Sequence, residues 1–178
     1  CIRDRCIHEN WREIMFIQTE ETPNPATLKF LPGQTVLGTG TANFSEGNNV
    51  EGSPLAKKLF GVEGVTGVFL GSDFITITKK EDIVWEHIKP ALLGTIMDFL
   101  QSGEKILDEE SRDPSHETHE GPDREIVKKI TDLLDTRVRP AVAQDGGDIT
   151  FQSFEEGIVY LHMQGACAGC PSSTMTLK

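Results

Sequence analysis

The run Met163-Gln164-Gly165-Ala166-Cys167-Ala168-Gly169-Cys170-Pro171-Ser172-Ser173 sets two thiols three positions apart, and they are the residues of this chain best suited to chemistry. A Cys-x-x-Cys pair offers two soft donors. An iron-sulfur cluster or a structural zinc ion takes about four protein ligands, so one pair is half a site, and a second copy of the chain is the expected source of the rest. The flanking residues suit that use. Gly165 and Gly169 let the backbone turn sharply and bring amide hydrogens toward sulfur. Pro171 fits the first position of a helix whose amides at Ser172, Ser173 and Thr174 would point back at Cys170. Those amides and the positive helix end are expected to lower the thiol pKa and favour an anionic metal centre. With few bulky residues nearby, a cluster held there is expected to be exposed and labile, which suits delivery.

Other chemistries compete for the same pair. A thiol-disulfide oxidoreductase also uses Cys-x-x-Cys at a strand-to-helix junction, but it expects a parallel βαβ arrangement, whereas the strands before Cys167 read as an antiparallel hairpin. A zinc ion fixed between two chains would use the same half-sets without ever being passed on. Against simple packing, these cysteines flank Ala-Gly in a turn rather than sitting inside an element. Further ligand candidates are weaker. His162 lies in a strand and reads as a residue of an open sheet face. Asp145 and Asp148 carry oxygens for a hard cation, yet they bracket Gly146-Gly147 and read as turn formers around left-handed glycines. His116 and His119 sit in a segment without a structured frame, and Cys1 and Cys6 read as spare thiols on a tail. No nucleophile with a base, phosphate loop or paired acids stands out, so no catalytic function is expected.

These residues need a frame, and the chain supplies two. From about Met15 to Gly103 an extended piece turns through Thr22-Pro23-Asn24-Pro25 and resumes at Leu28-Lys29-Phe30-Leu31. A Gly/Thr/Asn-rich stretch from Gly38 to Asn49 follows, and Ser53-Pro54 then reads as an N-cap with proline at the first helical position. Val65 to Leu70 and Phe74 to Thr78 form a hairpin around Gly71-Ser72-Asp73. A helix from about Asp82 to Leu100 follows, with Trp85, Ile88, Leu92, Ile96, Phe99 and Leu100 near helical spacing and a kink or restart expected at Pro90. Residues 104–122 are charged and nearly free of apolar side chains, and read as a flexible acidic linker. In residues 123–178, Ile126, Val127, Ile130, Leu133, Leu134 and Val138 follow helical spacing up to Arg139-Pro140. A turn over Ala141 to Asp148, strands Ile149 to Phe154 and Ile158 to Met163, the cysteine loop and a helix start complete the chain. The expected class is α+β: two small α+β domains joined by the linker.

Composition narrows the partners. The 178 residues carry a formal net charge of −11, which disfavours nucleic acid and anionic membranes, since binding to phosphates needs a basic surface. No stretch approaches the roughly 18 uninterrupted apolar residues of a membrane span. Residues 1–14 have no apolar secretory core and precede Met15, so they read as a leader of doubtful status with Met15 as the natural start. Four cysteines are too few for a disulfide scaffold, and the expected setting is a reducing one.

At the residues already quoted the sequence resembles the Nfu proteins, NifU-like carriers and scaffolds of iron-sulfur clusters. The run Arg139-Pro140-Ala141-Val142-Ala143-Gln144-Asp145-Gly146-Gly147-Asp148-Ile149, followed by Gln164 to Ser173, is similar to the family's C-terminal domain. Gln18 to Phe30, and Trp85 with Lys89-Pro90, are similar to its N-terminal domain. The resemblance implies that Cys167 and Cys170 of two chains jointly bind a 4Fe-4S cluster, with a 2Fe-2S form as the variant, in a homodimer. It implies cluster delivery to apo iron-sulfur proteins, supply by upstream assembly proteins and no catalytic turnover. The N-terminal domain is expected to help recognise partners. The family's last domain continues through the rest of a helix and one more strand, so this chain reads as truncated after Lys178. A bacterial cytoplasmic location is expected, or the mitochondrial matrix in a eukaryote.

Overall fold

The structure, a computed structural model, describes residues 16–46, 50–107 and 124–170. It opens with an antiparallel hairpin, β1 (Gln18–Glu21) against β2 (Thr27–Leu31), with Gln18 opposite Leu31 and Glu21 opposite Leu28. Side chains build the turn between them. The Asn24 Oδ1 accepts the Ala26 N–H at 3.1 Å, while the Asn24 carbonyl accepts the Thr22 hydroxyl and the Thr27 N–H, both at 2.9 Å. Strands β3 (Ala42–Ser45), β4 (Val65–Leu70) and β5 (Ile75–Lys79) complete a five-stranded antiparallel sheet in the order β1-β2-β5-β4-β3.

Two helices cover one face of this sheet. Helix α1 (Pro54–Phe60) starts as the sequence predicts, with the Ser53 hydroxyl accepting the Ala56 N–H at 3.2 Å and proline in the first turn. Helix α2 (Trp85–Ser102) buries Ile88, Leu92, Ile96 and Phe99 along one stripe. The expected restart at Pro90 is not seen. Pro90 removes one N–H near the start of the helix, and the carbonyl that loses it belongs to the exposed Glu86. Leu28 and Phe30 of β2, Val68 and Leu70 of β4, and Ile75 and Ile77 of β5 meet these helices from the sheet side. Inside the segment read as linker, Leu107 is buried on this core and Ile106 packs against it.

The second half is smaller. Helix α3 (Arg124–Leu133) does not end at Arg139-Pro140 as expected; it winds through a π turn over Leu134–Val138 and resumes as α4 (Arg139–Gln144). Proline causes no break there because it falls in the first turn of α4, where its missing N–H is not needed. The turn is therefore shorter than expected, confined to Asp145 and Gly146, the latter at φ +79°. Strands β6 (Gly147–Glu155) and β7 (Ile158–Gly165) then pair antiparallel, with a bulge between Phe151 and Ser153. Glu156 at φ +50° and Gly157 at φ +83° make the reversal. Mixed helices and antiparallel sheets place the molecule in the α+β class, as expected.

Candidate metal centre

Strand β7 hands the chain to the cysteine loop. Gly165 at φ +61° and Gly169 at φ +74° are left-handed, so the backbone turns back on itself at both ends of Ala166 to Ala168. The Ala168 N–H donates to the Gly165 carbonyl at 3.1 Å, and the Ala166 N–H donates to the Gly146 carbonyl at 3.2 Å. Gly147 forms the wall beside the first sulfur: a Cβ there would lie 2.5 Å from the Cys167 Sγ. Any larger residue would push the loop away.

Cys167 and Cys170 are both reduced, and only 8% and 4% of their surfaces are exposed. Burial above all, and then the charges of Asp145, Cys170 and Asp148, push the Cys167 thiol from 9.0 up to about 11. This reverses the expected lowering. The helix start at Pro171 lies outside the described residues, and the surroundings that are described are desolvating and acidic. A protonated, buried thiol is a poor nucleophile, and the strands leading to it are antiparallel. Both features count against the oxidoreductase.

The expected openness of the loop holds for Ala168 and Gly169 but is corrected at Ala166 and the two thiols, which are buried, and the first half of the molecule packs against the loop. Lys29, Phe69, Phe74 and Thr76 occupy the sheet face turned away from α1 and α2, yet they are only 7%, 1%, 4% and 0% exposed. The Thr76 hydroxyl donates to the Gly146 carbonyl at 2.7 Å, the same carbonyl that anchors Ala166. Lys29 Nζ donates to the Gln144 carbonyl at 3.0 Å. A Cβ on Gly165 would stand 2.9 Å from the Phe69 ring. Asn24, whose Oδ1 is held by its own turn, donates its Nδ2 to the Ala168 carbonyl at 3.1 Å and the Ala166 carbonyl at 3.4 Å. Those carbonyls flank Cys167.

Asp148 is neither a hard-cation ligand nor a turn former. It is 3% exposed in β6, and its Oδ1 accepts Arg139 Nε and the Ile149 N–H, each at 2.8 Å. Its Oδ2 accepts Arg139 Nη2 at 2.8 Å and the Thr41 hydroxyl at 2.9 Å. With both oxygens engaged twice, little acceptor capacity remains for a cation. The pair ties α4 to β6, and Arg139 Nη1 adds Asp135 at 3.0 Å. The turn reading holds for Asp145. His162 is exposed on β7 opposite Thr150. Cys1, Cys6, His116 and His119 lie outside the described residues. Among the described residues no group of three or more His, Cys, Asp or Glu side chains could hold a metal ion. Two buried thiols in a glycine-flanked turn are a pair of soft donors, fewer than the roughly four protein ligands that a cluster or a structural zinc ion takes. Sequence reasoning missed Asn24, Lys29 and Thr76 as contacts of the loop and its flank, and Arg139 as the partner of Asp148.

Comparison with known proteins gives consistent matches along the chain. Residues 17–103 match the family described as scaffold protein Nfu/NifU N terminal, and residues 130–178 match the NifU-like domain. A Drosophila ananassae protein named NFU1 iron-sulfur cluster scaffold homolog, mitochondrial, is 56% identical over 92% of this chain and 57% of its own length. The human protein of the same name is 52% identical over 92% of this chain and 64% of its own length. NifU-like protein 5, mitochondrial, of Arabidopsis thaliana is 46% identical over 100% of this chain and 67% of its own length. The chain thus spans about three fifths of the length of the curated insect and human relatives it matches. The solution structure of a NifU-like protein from Saccharomyces cerevisiae is 29% identical with a TM-score of 0.50, covering 57% of this chain and 92% of that one.

Proposed function

This chain belongs to the Nfu/NifU scaffold family, and from that premise we propose that it is a non-enzymatic carrier of iron-sulfur clusters, with Cys167 and Cys170 as its cluster ligands. The observation that carries this reading is the half-set: two thiols on a glycine-flanked turn, with no larger ligand group among the described residues. Two chains, each contributing its pair, supply the four sulfurs that a 4Fe-4S cluster takes; a 2Fe-2S cluster has the same requirement. The cluster is cargo, received from upstream assembly proteins and given up to apo iron-sulfur proteins. Binding displaces the thiol protons, and the burial that raises the Cys167 thiol opposes that loss. Gly147 leaves backbone rather than a side chain beside the Cys167 sulfur, and Gly165 and Gly169 supply the left-handed turns at the two ends of the loop.

The relatives named as mitochondrial favour the mitochondrial matrix over a bacterial cytoplasm. Among the described residues no helix is long and apolar enough to cross a membrane.

Anaerobic reconstitution with iron and sulfide tests the reading. The expected result is a dimer holding about four irons and matching acid-labile sulfide, lost in Cys167→Ser and in Cys170→Ser. Iron uptake that survives Cys167→Ser defeats the assignment. Stoichiometric zinc without sulfide turns the site into a structural bridge.

A further inference from the structure

The outer face of the five-stranded sheet is built around the cysteine loop. Thr76 meets the Gly146 carbonyl, Lys29 the Gln144 carbonyl, Phe69 the backbone at Gly165, and Asn24 the carbonyls on either side of Cys167. None of these side chains belongs to the core that the sheet forms with α1 and α2. The first half can therefore let go of the loop without opening itself. Most of the contacts are hydrogen bonds to main-chain carbonyls, which water replaces readily, as in interfaces that open and close.

We propose that the first half is a releasable shield: its outer sheet face binds the cysteine loop of its own chain and withholds Cys167 and Cys170 until the two halves separate. The inference rests on the reading of these thiols as cluster ligands shared between two chains. A shared cluster needs four sulfurs from two loops at one place, whereas in the closed chain the thiols are 8% and 4% exposed. Docking on the shield and bridging to a second chain therefore exclude each other. The protein holds its thiols safe from adventitious metal and oxidant while closed, and receives or gives up its cargo while open.

The test uses the full chain carrying Cys1→Ser and Cys6→Ser, reduced and metal-free, with iodoacetamide alkylation of Cys167 and Cys170 followed by mass spectrometry. Two outer-face variants weaken the shield: Thr76→Arg, which sets a long charged side chain where the Gly146 carbonyl packs, and the milder Lys29→Glu. Alkylation is expected to rise about tenfold or more in Thr76→Arg and about threefold in Lys29→Glu, because labelling follows the open population. Circular dichroism melting checks that the first half stays folded; where Thr76→Arg fails that check, Lys29→Glu decides. Unchanged alkylation in a folded variant overturns the shield. Iron and sulfide loading of the same proteins separates the two readings. Variants that both label and load faster support the shield on a cluster site. Faster labelling with no loading in any protein keeps the shield and removes the cluster assignment. Normal loading with unchanged labelling does the opposite.

Discussion

Between residues 16 and 107 the sheet and its helices close over Phe30, Leu55, Leu59, Leu92, Ile96 and Phe99, none more than 1% exposed. Between 124 and 170, Ile126, Leu133, Ile158, Val159 and Tyr160 stand from 37% to 56% open, and α3 buries no residue at all. The buried apolar residues of this second half gather at one end, as Ile149, Ala166, Cys167 and Cys170, with Leu134 on the π turn. Stability and chemistry are thus kept apart. One half closes over a core of its own, while the other carries the thiols and takes part of the contacts of its loop from the first. Such a division leaves the loop free to change surroundings without unfolding the frame that holds it.

The sharpest way to break this comparison is to open the first core. Phe30→Ala should cost about 3–5 kcal/mol in urea or thermal unfolding, since a large ring leaves a cavity that the sheet cannot collapse around. A loss no larger than that of an exposed-site change would mean that the first half is not the stable partner. Next in size is Arg139→Gln, which strands the 3%-exposed Asp148 carboxylate. About 2 kcal/mol is expected, read as faster hydrogen exchange at the β6 and β7 amides with little change in the first sheet. Equal acceleration in both halves would show that they unfold as one unit.

The smallest effect is on pH. Folding favours the neutral Cys167 thiol, so this contribution is complete below pH 9 and fades as the pH climbs through about 11. Hydrogen exchange around Gly146 and Gly165, corrected for the intrinsic pH dependence, should therefore show weaker protection across that range and less change in Cys167→Ser. Protection that is flat with pH, or that falls identically in Cys167→Ser, would remove the thiol from the account.

Much of this was legible in the residues. Ser53-Pro54 announced a capped helix, Gly71-Ser72-Asp73 a hairpin, and Leu92, Ile96 and Phe99 a buried stripe, because capping, turn chemistry and periodicity act within a few positions. The two cysteines and their left-handed glycines were equally plain. The helix through Pro140 was misread, since a π turn has no signature that competes with proline's reputation as a stop. Asp148 looked like a turn residue because its partner Arg139 comes into reach only when α4 folds back onto β6.

The sequence by itself determined the donor chemistry on offer: two thiols in each chain, and the glycines that let their loop form. Only the tertiary structure decided that the loop is covered, and by what. The reason is that Asn24, Lys29 and Thr76 recognise main-chain carbonyls, which every residue carries, so no pattern of side chains records the meeting. Two polar residues alternating with apolar ones along β2 and β5 describe an ordinary open sheet face until another part of the chain is laid against it.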